Sequence, residues 1–231
     1  GGGVMLGLLS GLVMGCAAEK APLPTIVISG RVVGLIGSAG LADVEVCLAS
    51  DGPCSTTDAD GAYRLEVEAN QEHLLLLDGA DLTPGAVAFV AEEAALQLAN
   101  VSLLSSELVA GQFAALDQVW LEGTGVVAFS VSNGIDGDGV NVAEVEVSVQ
   151  PAAGEGPFYS TALGIPSGEL TATSDNGGGV LINLAPELYQ LQYSPLLETC
   201  ELVLGWGSPE DHQIPVLANR VTVARIACPE S

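Results

Sequence analysis

The chain has 231 residues, 48% of them hydrophobic, which is enough apolar material for two domains of about 100 residues and argues against disorder. The formal net charge is −24, and it reflects a scarcity of basic residues, because 29 acidic residues are set against only 5 basic ones. A surface of this sign repels phosphate backbones and anionic headgroups, so the composition excludes nucleic acid as a partner.

The N-terminal segment is a short apolar run, Gly3–Cys16, with no charged residue. It is too short to cross a bilayer as a helix, which needs about 20 residues, and its length is typical of a signal peptide. The last residues of the run, Val13-Met14-Gly15-Cys16, resemble a bacterial lipobox, which implies a signal peptide over residues 1–15, lipidation of Cys16 and a tether over residues 16–24. An ordinary signal peptide and a fragment of a buried element are the alternatives.

Two features of this segment lead to further expectations. No basic residue precedes the run and residue 1 is not Met, so we expect the natural start to lie upstream. Ala17 follows the lipobox cysteine, which favours a lipid-anchored protein of the bacterial outer membrane.

An internal repeat organises the rest of the chain. Ala42–Val46 returns 101 positions later as Ala143–Val147, and Ser29 and Ser130 share that offset. Thr56–Tyr63 aligns with Thr173–Val180 at an offset of 117, so the second copy has gained about 16 residues. The repeat predicts a β-module over residues 25–93 and a second over residues 124–231, with a loop insertion over residues 154–168.

The first module shows alternating apolar and polar residues, which are typical of half-buried strands. The predicted strands are Thr25–Val33, Asp43–Ala49, Cys54–Thr57, Ala62–Glu68, His73–Leu77 and Ala86–Ala91. Asp58–Gly61 predicts a hairpin turn in which Gly61 adopts a positive φ.

Residues 94–123 break this pattern and are predicted to form a helical connector. Ser105 precedes Glu107 and Leu108 as a helix cap would. The apolar residues of the segment fall mostly on one stripe, which predicts about three helical turns packed on a module; they are Leu108, Phe113, Leu116, Val119 and Trp120.

The second module is again predicted to be built of strands. These are Val126–Ser132, Glu144–Gln150, Leu170–Ser174, Val180–Asn183, Tyr189–Ser194, Cys200–Gly205 and Arg220–Ala227.

Four cysteines remain if Cys16 carries lipid, and they allow three pairings. Pairing within each module gives disulfides Cys47–Cys54 and Cys200–Cys228. Disulfides belong to an oxidising compartment, which agrees with export.

These motifs resemble those of the carboxypeptidase regulatory-like domains, which belong to the transthyretin-like β-sandwich group. The shared residues are the Ala42–Val46 strand, the pattern Thr56-x-Asp58-x-x-Gly61 before Tyr63, and Pro186-x-x-Tyr189-x-Leu191. The resemblance implies an all-β chain of two tandem transthyretin-like or Ig-like sandwich modules joined by a short helical segment. It carries over no catalytic residues.

The remaining chemistry is sparse. Only two histidines occur, His73 and His212, and no nucleophile elbow accompanies them, so we expect no enzyme. The loop residues Asp136, Asp138 and Asn141 offer alternate oxygen ligands and are the best candidate site for a cofactor, a calcium ion; Asp58 and Asp60 are a weaker candidate. The position where an EF-hand needs Glu is occupied by Val147.

Two function hypotheses follow. The first is a non-catalytic envelope lipoprotein whose modules bind an envelope protein or a glycan. The second is a carbohydrate-binding accessory module that stacks sugars on Phe158, Tyr159 and Trp206. Clustering of these three aromatic residues on one exposed face would favour the second hypothesis.

Overall fold

The structure is a computed structural model that describes residues 23–35, 38–98, 100–134, 139–194, 200–207 and 211–228. Within these ranges the chain consists of strands and one α-helix, so the all-β prediction is confirmed. The strands before the helix are β1 (Thr25–Gly34), β2 (Glu45–Leu48), β3 (Cys54–Thr56), β4 (Ala62–Glu68), β5 (Gln71–Asp78), β6 (Gly85–Ala91), β7 (Leu96–Gln97) and β8 (Val101–Leu103). The helix is α1 (Ser106–Ala115). The strands after it are β9 (Gly125–Ser132), β10 (Glu146–Gln150), β11 (Glu155–Ser160), β12 (Pro166–Ser167), β13 (Gly178–Leu184), β14 (Leu188–Ser194), β15 (Glu201–Leu204), β16 (Gln213–Pro215) and β17 (Val221–Ala227).

The first sandwich packs a sheet of β4, β1, β7 and β8 against strands β3, β2, β5 and β6. Alternation in β4 explains its place, because Tyr63, Leu65 and Val67 are buried whereas Arg64 and Glu66 between them are exposed. The apolar side chains of both sheets form one buried cluster.

The second sandwich packs the sheet β10-β14-β16 against strands β12, β11, β13, β9 and β17. Tyr189 and Leu191 of β14 are fully buried in its core and Gln192 is exposed, as the alternating sequence predicts. This core is a second buried cluster, separate from the first.

Strand β17 joins the two sandwiches into one ten-stranded sheet. It pairs in parallel with β9 along its whole length and with β6 over Val221–Val223. Beyond Val223, β15 replaces β6 as the second partner of β17. Leu204 of β15 is buried in the core of the first sandwich. No local pattern in the sequence indicates this pairing, because the partners β6 and β17 lie far apart in the chain.

Two side-chain contacts support the joint. Arg220 donates to the carboxylate of Asp78 at 2.9 Å and to the carbonyl of Gly85 at 3.1 Å. The indole Nε1 of Trp206 donates to the carbonyl of His73 at 2.8 Å. Both contacts link residues of the second repeat to β5 and β6.

Hydrogen bonds show how the two repeat copies correspond. The amide of Val44 donates to Thr57 Oγ1 at 2.9 Å, and that hydroxyl donates to Leu41 O at 2.6 Å. In the second copy the amide of Val145 donates to Thr173 Oγ1 at 2.9 Å, and that hydroxyl donates to Val142 O at 2.8 Å.

This correspondence corrects the sequence alignment. Thr57, not Thr56, is the equivalent of Thr173, so the offset there is 116 and the second copy has gained 15 residues relative to the 101-residue offset of Val44 and Val145. The Ser29–Ser130 alignment is also wrong. The amide of Val32 donates to Gly61 O and that of Val131 to Gly177 O, so the first strands are offset by 99 residues.

Two further predictions about strands are wrong. Leu170–Ser174 is not a strand, although the backbone of Thr173 is bonded to Glu144 and Val145. The segment predicted to be a helical connector contains β7 and β8, which pair in parallel with β1 of the first sandwich. These strands have two and three residues, too few to show a period.

The helix and the disulfides agree with the sequence. Ser105 caps α1, and its hydroxyl accepts the amide of Leu108 at 3.1 Å. The pairing within modules is confirmed. Cys47 and Cys54 are bonded across β2 and β3, and Cys200 is bonded to Cys228 at the end of β17.

Candidate functional site

Helix α1 lies on the outer face of the second sandwich, on the side away from its core. Val109 and Phe113 of the helix pack on Val126, Ile182 and Val221, which belong to three neighbouring strands. In the first sandwich the positions equivalent to Val180 and Ile182 are Arg64 and Glu66, which are exposed. Apolar outward-facing residues therefore explain why the helix packs on this sheet.

A groove of about 530 Å³ runs along α1, and we call it the helix groove. Its lining residues come from the helix, the segment after it and two loops near the joint between the sandwiches: Thr83, Pro84, Ser106, Val109, Ala110, Phe113, Ala114, Gln118, Val119, Trp120 and Asn219. Its lining contains no charged side chain. The groove can therefore bind apolar groups.

An aromatic pair forms one wall of the helix groove. The rings of Phe113 and Trp120 are stacked, with centroids 5.6 Å apart and an angle of 8° between their planes. The indole Nε1 donates to Thr124 O at 3.2 Å, so its polar atom is satisfied within the chain. Val119 beside it is 71% exposed.

The amide side chain of Asn183 fixes this wall in place. Its Nδ2 donates to Val119 O at 3.0 Å and to Glu155 Oε1 at 2.9 Å. Its Oδ1 accepts the amide of Leu121 at 2.9 Å. Asn183 has a φ of 58° in β13, a conformation that Asn adopts more easily than most residues. One residue thus connects the sheet, the insertion and the groove wall.

A second concave surface, of about 590 Å³, lies between the end of α1 and the insertion. Leu163 and Ile165 at the tip of the insertion line it and are 87% and 49% exposed. The helix is therefore flanked by apolar surface on both sides.

The charge around α1 is of one sign. Ser106–Thr124, which includes the helix and the groove wall, contains Glu107, Asp117 and Glu122 and no basic residue. All three acidic side chains are exposed. Arg220, near the far end of the groove, is paired with Asp78.

The titratable groups of the chain do not assemble into a catalytic site within the described residues. His212 stacks on Tyr193, whose hydroxyl lies 3.2 Å from its Nε2. Burial lowers the pKa of His212, with Asp211 opposing this, and burial raises the pKa of Tyr193 to about 12, with a further contribution from Glu201. The Nε2 of His73 is bonded to the carbonyl of Glu68 at 2.7 Å.

The three aromatic residues proposed for ligand stacking do not share a face. Tyr159 is 3% exposed, and its hydroxyl accepts the amide of Val147 at 2.8 Å, so the proposal is wrong for this residue. Phe158, its neighbour in β11, points to the opposite side and packs on the cluster beneath α1. Trp206 is half-buried at the joint between the sandwiches. The insertion thus adds β11 and the short edge strand β12 to the sheet.

The proposed metal ligands and the lipidation site are only partly described. Asp136, Asp138 and Cys16 lie outside the described residues, and Asn141 is exposed. Glu45, Cys47 and Cys54 lie close enough together for a metal ion, but the two cysteines form a disulfide and cannot be thiolate ligands. No helix in the described part of the chain is long and apolar enough to cross a membrane.

Comparisons with known proteins leave the family open. No family model and no curated protein matches the sequence, so the resemblance to carboxypeptidase regulatory-like domains stays a prediction. Three solved structures that this chain resembles share 14% sequence identity or less with it. A type II cohesin–X-dockerin complex from Acetivibrio cellulolyticus matches with a TM-score of 0.31 and 14% identity, over 35% of this chain and 58% of that one.

Two further structures match over most of this chain. The TIE protein of Bacillus anthracis has a TM-score of 0.30 and 11% identity, over 88% of this chain and 34% of its own. A minor pilin of Streptococcus agalactiae has a TM-score of 0.28 and 12% identity, over 89% of this chain and 97% of its own. This chain thus spans 58% and 34% of the first two matched chains. Scores this low carry no argument about function.

Sequence reasoning did not identify the helix groove. Phe113, Val119 and Trp120 stood out as an apolar stripe that would pack on a module, and Phe113 does so. The apolar stripe extends past the end of α1 to Val119 and Trp120, and this extra length was the one sign that some of its residues line a groove.

Proposed function

We propose that this protein is a non-catalytic, lipid-anchored scaffold of the bacterial cell envelope, in which two joined sandwiches present the helix groove to a protein partner. The observation that carries the proposal is the pairing of β17 with both β6 and β9, which joins the sandwiches through backbone hydrogen bonds. A fixed arrangement suits presentation of a surface, since little ordering is needed on binding.

Two disulfides support an exported protein. Cys47–Cys54 and Cys200–Cys228 are of the kind that persists in the periplasm or outside the cell. Together with the lipobox at Cys16 they favour lipid anchoring, and Ala17 favours the outer membrane.

The groove supports binding without catalysis. No charged side chain lines it, and the indole N–H of Trp120 in its aromatic wall is already bonded to Thr124 O. A carbohydrate module is not favoured, because Tyr159 is buried and the other two aromatic residues lie on separate surfaces.

Acylation and location test the proposal together. The chain is expressed with an upstream signal start restored, with Cys16→Ser as the matched variant, and labelled with palmitate before the envelope is fractionated. We expect label and outer-membrane location for wild type and neither for Cys16→Ser. Label that persists in the variant, or wild type found in the cytoplasm, would refute the proposal.

A further inference from the structure

We infer that the helix groove binds a cationic amphipathic peptide segment of a partner protein, with apolar side chains in the groove and Lys or Arg at its rim. This inference names the partner chemistry for the binding role proposed above and rests on it. Its evidence is the apolar lining of the groove, the position of the acidic side chains and the scarcity of basic residues.

The lining selects apolar groups. Val109, Ala110, Phe113 and Ala114 form the helix side of the groove, and the ring of Trp120 is stacked on that of Phe113. Ala110 and Ala114 are exposed, so the helix offers short side chains along an open channel. Short side chains beside an aromatic wall leave room for the Leu- or Phe-sized anchors of an amphipathic segment.

The polar groups are too few for a sugar. Thr83, Ser106, Gln118 and Asn219 are the polar residues of the lining. Thr83 is buried at 6% exposure, and the Oδ1 of Asn219 already accepts the amide of Gly123 at 3.0 Å. A sugar would lose hydrogen bonds to water here without regaining them, which costs more than burying an aliphatic side chain.

The rim selects positive charge. Glu107 lies at the start of α1, and Asp117 and Glu122 follow its end, all exposed. The last turn of the helix has no basic residue, so the negative end of the helix dipole adds negative potential beside Asp117. A cationic segment would complement this rim and be steered toward it.

The same charge argues against a second copy as the occupant. The chain has a net charge of −24, and the groove segment Ser106–Thr124 contributes only acidic residues. Two copies meeting at α1 would place like charges together, which is destabilising. The partner must therefore supply the basic residues that this chain lacks.

Binding of designed peptides tests the inference. The probe is a fluorescein-labelled amphipathic peptide of Leu and Lys; a Leu/Glu peptide of the same pattern and a Ser/Lys peptide of the same charge are controls. We expect the Leu/Lys peptide to bind at least about tenfold more tightly than either control. Equal binding of the Leu/Lys and Ser/Lys peptides, or of the Leu/Lys and Leu/Glu peptides, would overturn the inference.

Two arginine substitutions of equal charge locate the site. Ala110→Arg places a long cation in the groove, whereas Gly111→Arg places it on the adjacent exposed position of α1, which does not line the groove and has open space around its Cβ. We expect at least about tenfold weaker peptide binding for Ala110→Arg and unchanged binding for Gly111→Arg. Equal affinities would place the peptide elsewhere and refute the assignment.

Folding and self-association are checked on the same samples. If Ala110→Arg melts below wild type, the exposed groove residue Ala114 is replaced by Arg instead. A wild-type dimer in sedimentation that Ala110→Arg converts to monomer would show a second copy in the groove and refute a cationic partner. These binding measurements do not depend on lipidation of Cys16. A negative result would therefore refute the peptide partner without changing the acylation result that tests the proposed function.

Discussion

The ring of Tyr63 on β4 lies over Gly30, its register partner on β1. A Cβ at Gly30 would be 2.6 Å from the tyrosine hydroxyl oxygen, so only glycine fits beneath the ring. In the second sandwich the ring is that of Phe129 on β9, and the glycine opposite it is Gly179 on β13. The two copies therefore fill the same place in the core from opposite strands. An aromatic side chain over a cross-strand glycine is a known way to stabilise such a pair.

The comparison predicts the effect of removing the Tyr63 hydroxyl. This hydroxyl is buried and has no hydrogen-bond partner among the described residues, and burial raises its pKa. Because an unpaired buried hydroxyl costs about 1–3 kcal/mol, we expect Tyr63→Phe to be neutral or to raise the free energy of unfolding by about 1 kcal/mol. Chemical denaturation measures it. A loss of more than about 1 kcal/mol would mean that the hydroxyl has a partner.

The threonine pair tests the repeat equivalence. Thr57 and Thr173 are each 4% exposed, and each accepts a buried valine amide. We expect Thr57→Val and Thr173→Val each to lower the free energy of unfolding by about 1–3 kcal/mol, because a buried N–H loses its partner.

The neighbouring residue Thr56 supplies the control for this pair. Thr56 is exposed, and the sequence alignment makes it the equivalent of Thr173. We expect Thr56→Val to change the free energy of unfolding by less than about 0.5 kcal/mol. A larger effect for Thr56→Val than for Thr57→Val would restore the 117-residue offset and contradict the structure.

Glycine 111 is predicted to be a weak point of α1. It lies inside the helix, and a Cβ added there would meet nothing within 4 Å. Glycine costs about 1 kcal/mol relative to alanine in a helix interior, so Gly111→Ala should raise the free energy of unfolding by up to about that amount. Denaturant unfolding followed by circular dichroism measures the change. A destabilised variant would show that the helix surface at this position is covered.

His212 should make stability depend on pH. Burial lowers its pKa in the folded protein below the ordinary value of 6.5. The unfolded chain therefore takes up the proton first, and the stability that neutral His212 contributes is lost as the pH falls from above 6.5 toward the folded pKa. We expect wild type to lose more stability than His212→Gln between about pH 7.5 and 5.5. Equal losses in denaturant titrations at the two pH values would refute the shift.

Local patterns predicted most strands of the fold. Alternation indicated β4 and β14 because each has one face on a core and one in water. The repeat predicted that the same strands would recur. It missed the true register, because Thr56 and Thr57 are both threonines and only the hydrogen bonds to Val44 and Leu41 distinguish them.

The remaining features depend on contacts between distant residues. Strands β7 and β8 are too short to show a period. The sequence predicts a loop where β11 lies, and Gly156 and Pro157 interrupt that strand. The helix groove depends on how Asn183 holds the segment after α1, and the joint depends on β6 pairing with β17. Neither relationship leaves a pattern within one segment of sequence.

The most direct test of this account is whether the two sandwiches move as one body in solution. Residual dipolar couplings of backbone amides are measured for strands β1 and β4 of the first sandwich and β10 and β14 of the second, in a weakly aligned sample. The pairing of β17 with β6 and β9 predicts that a single alignment tensor fits both sets of couplings to the structure. Two tensors that differ in magnitude or orientation would contradict the joined scaffold.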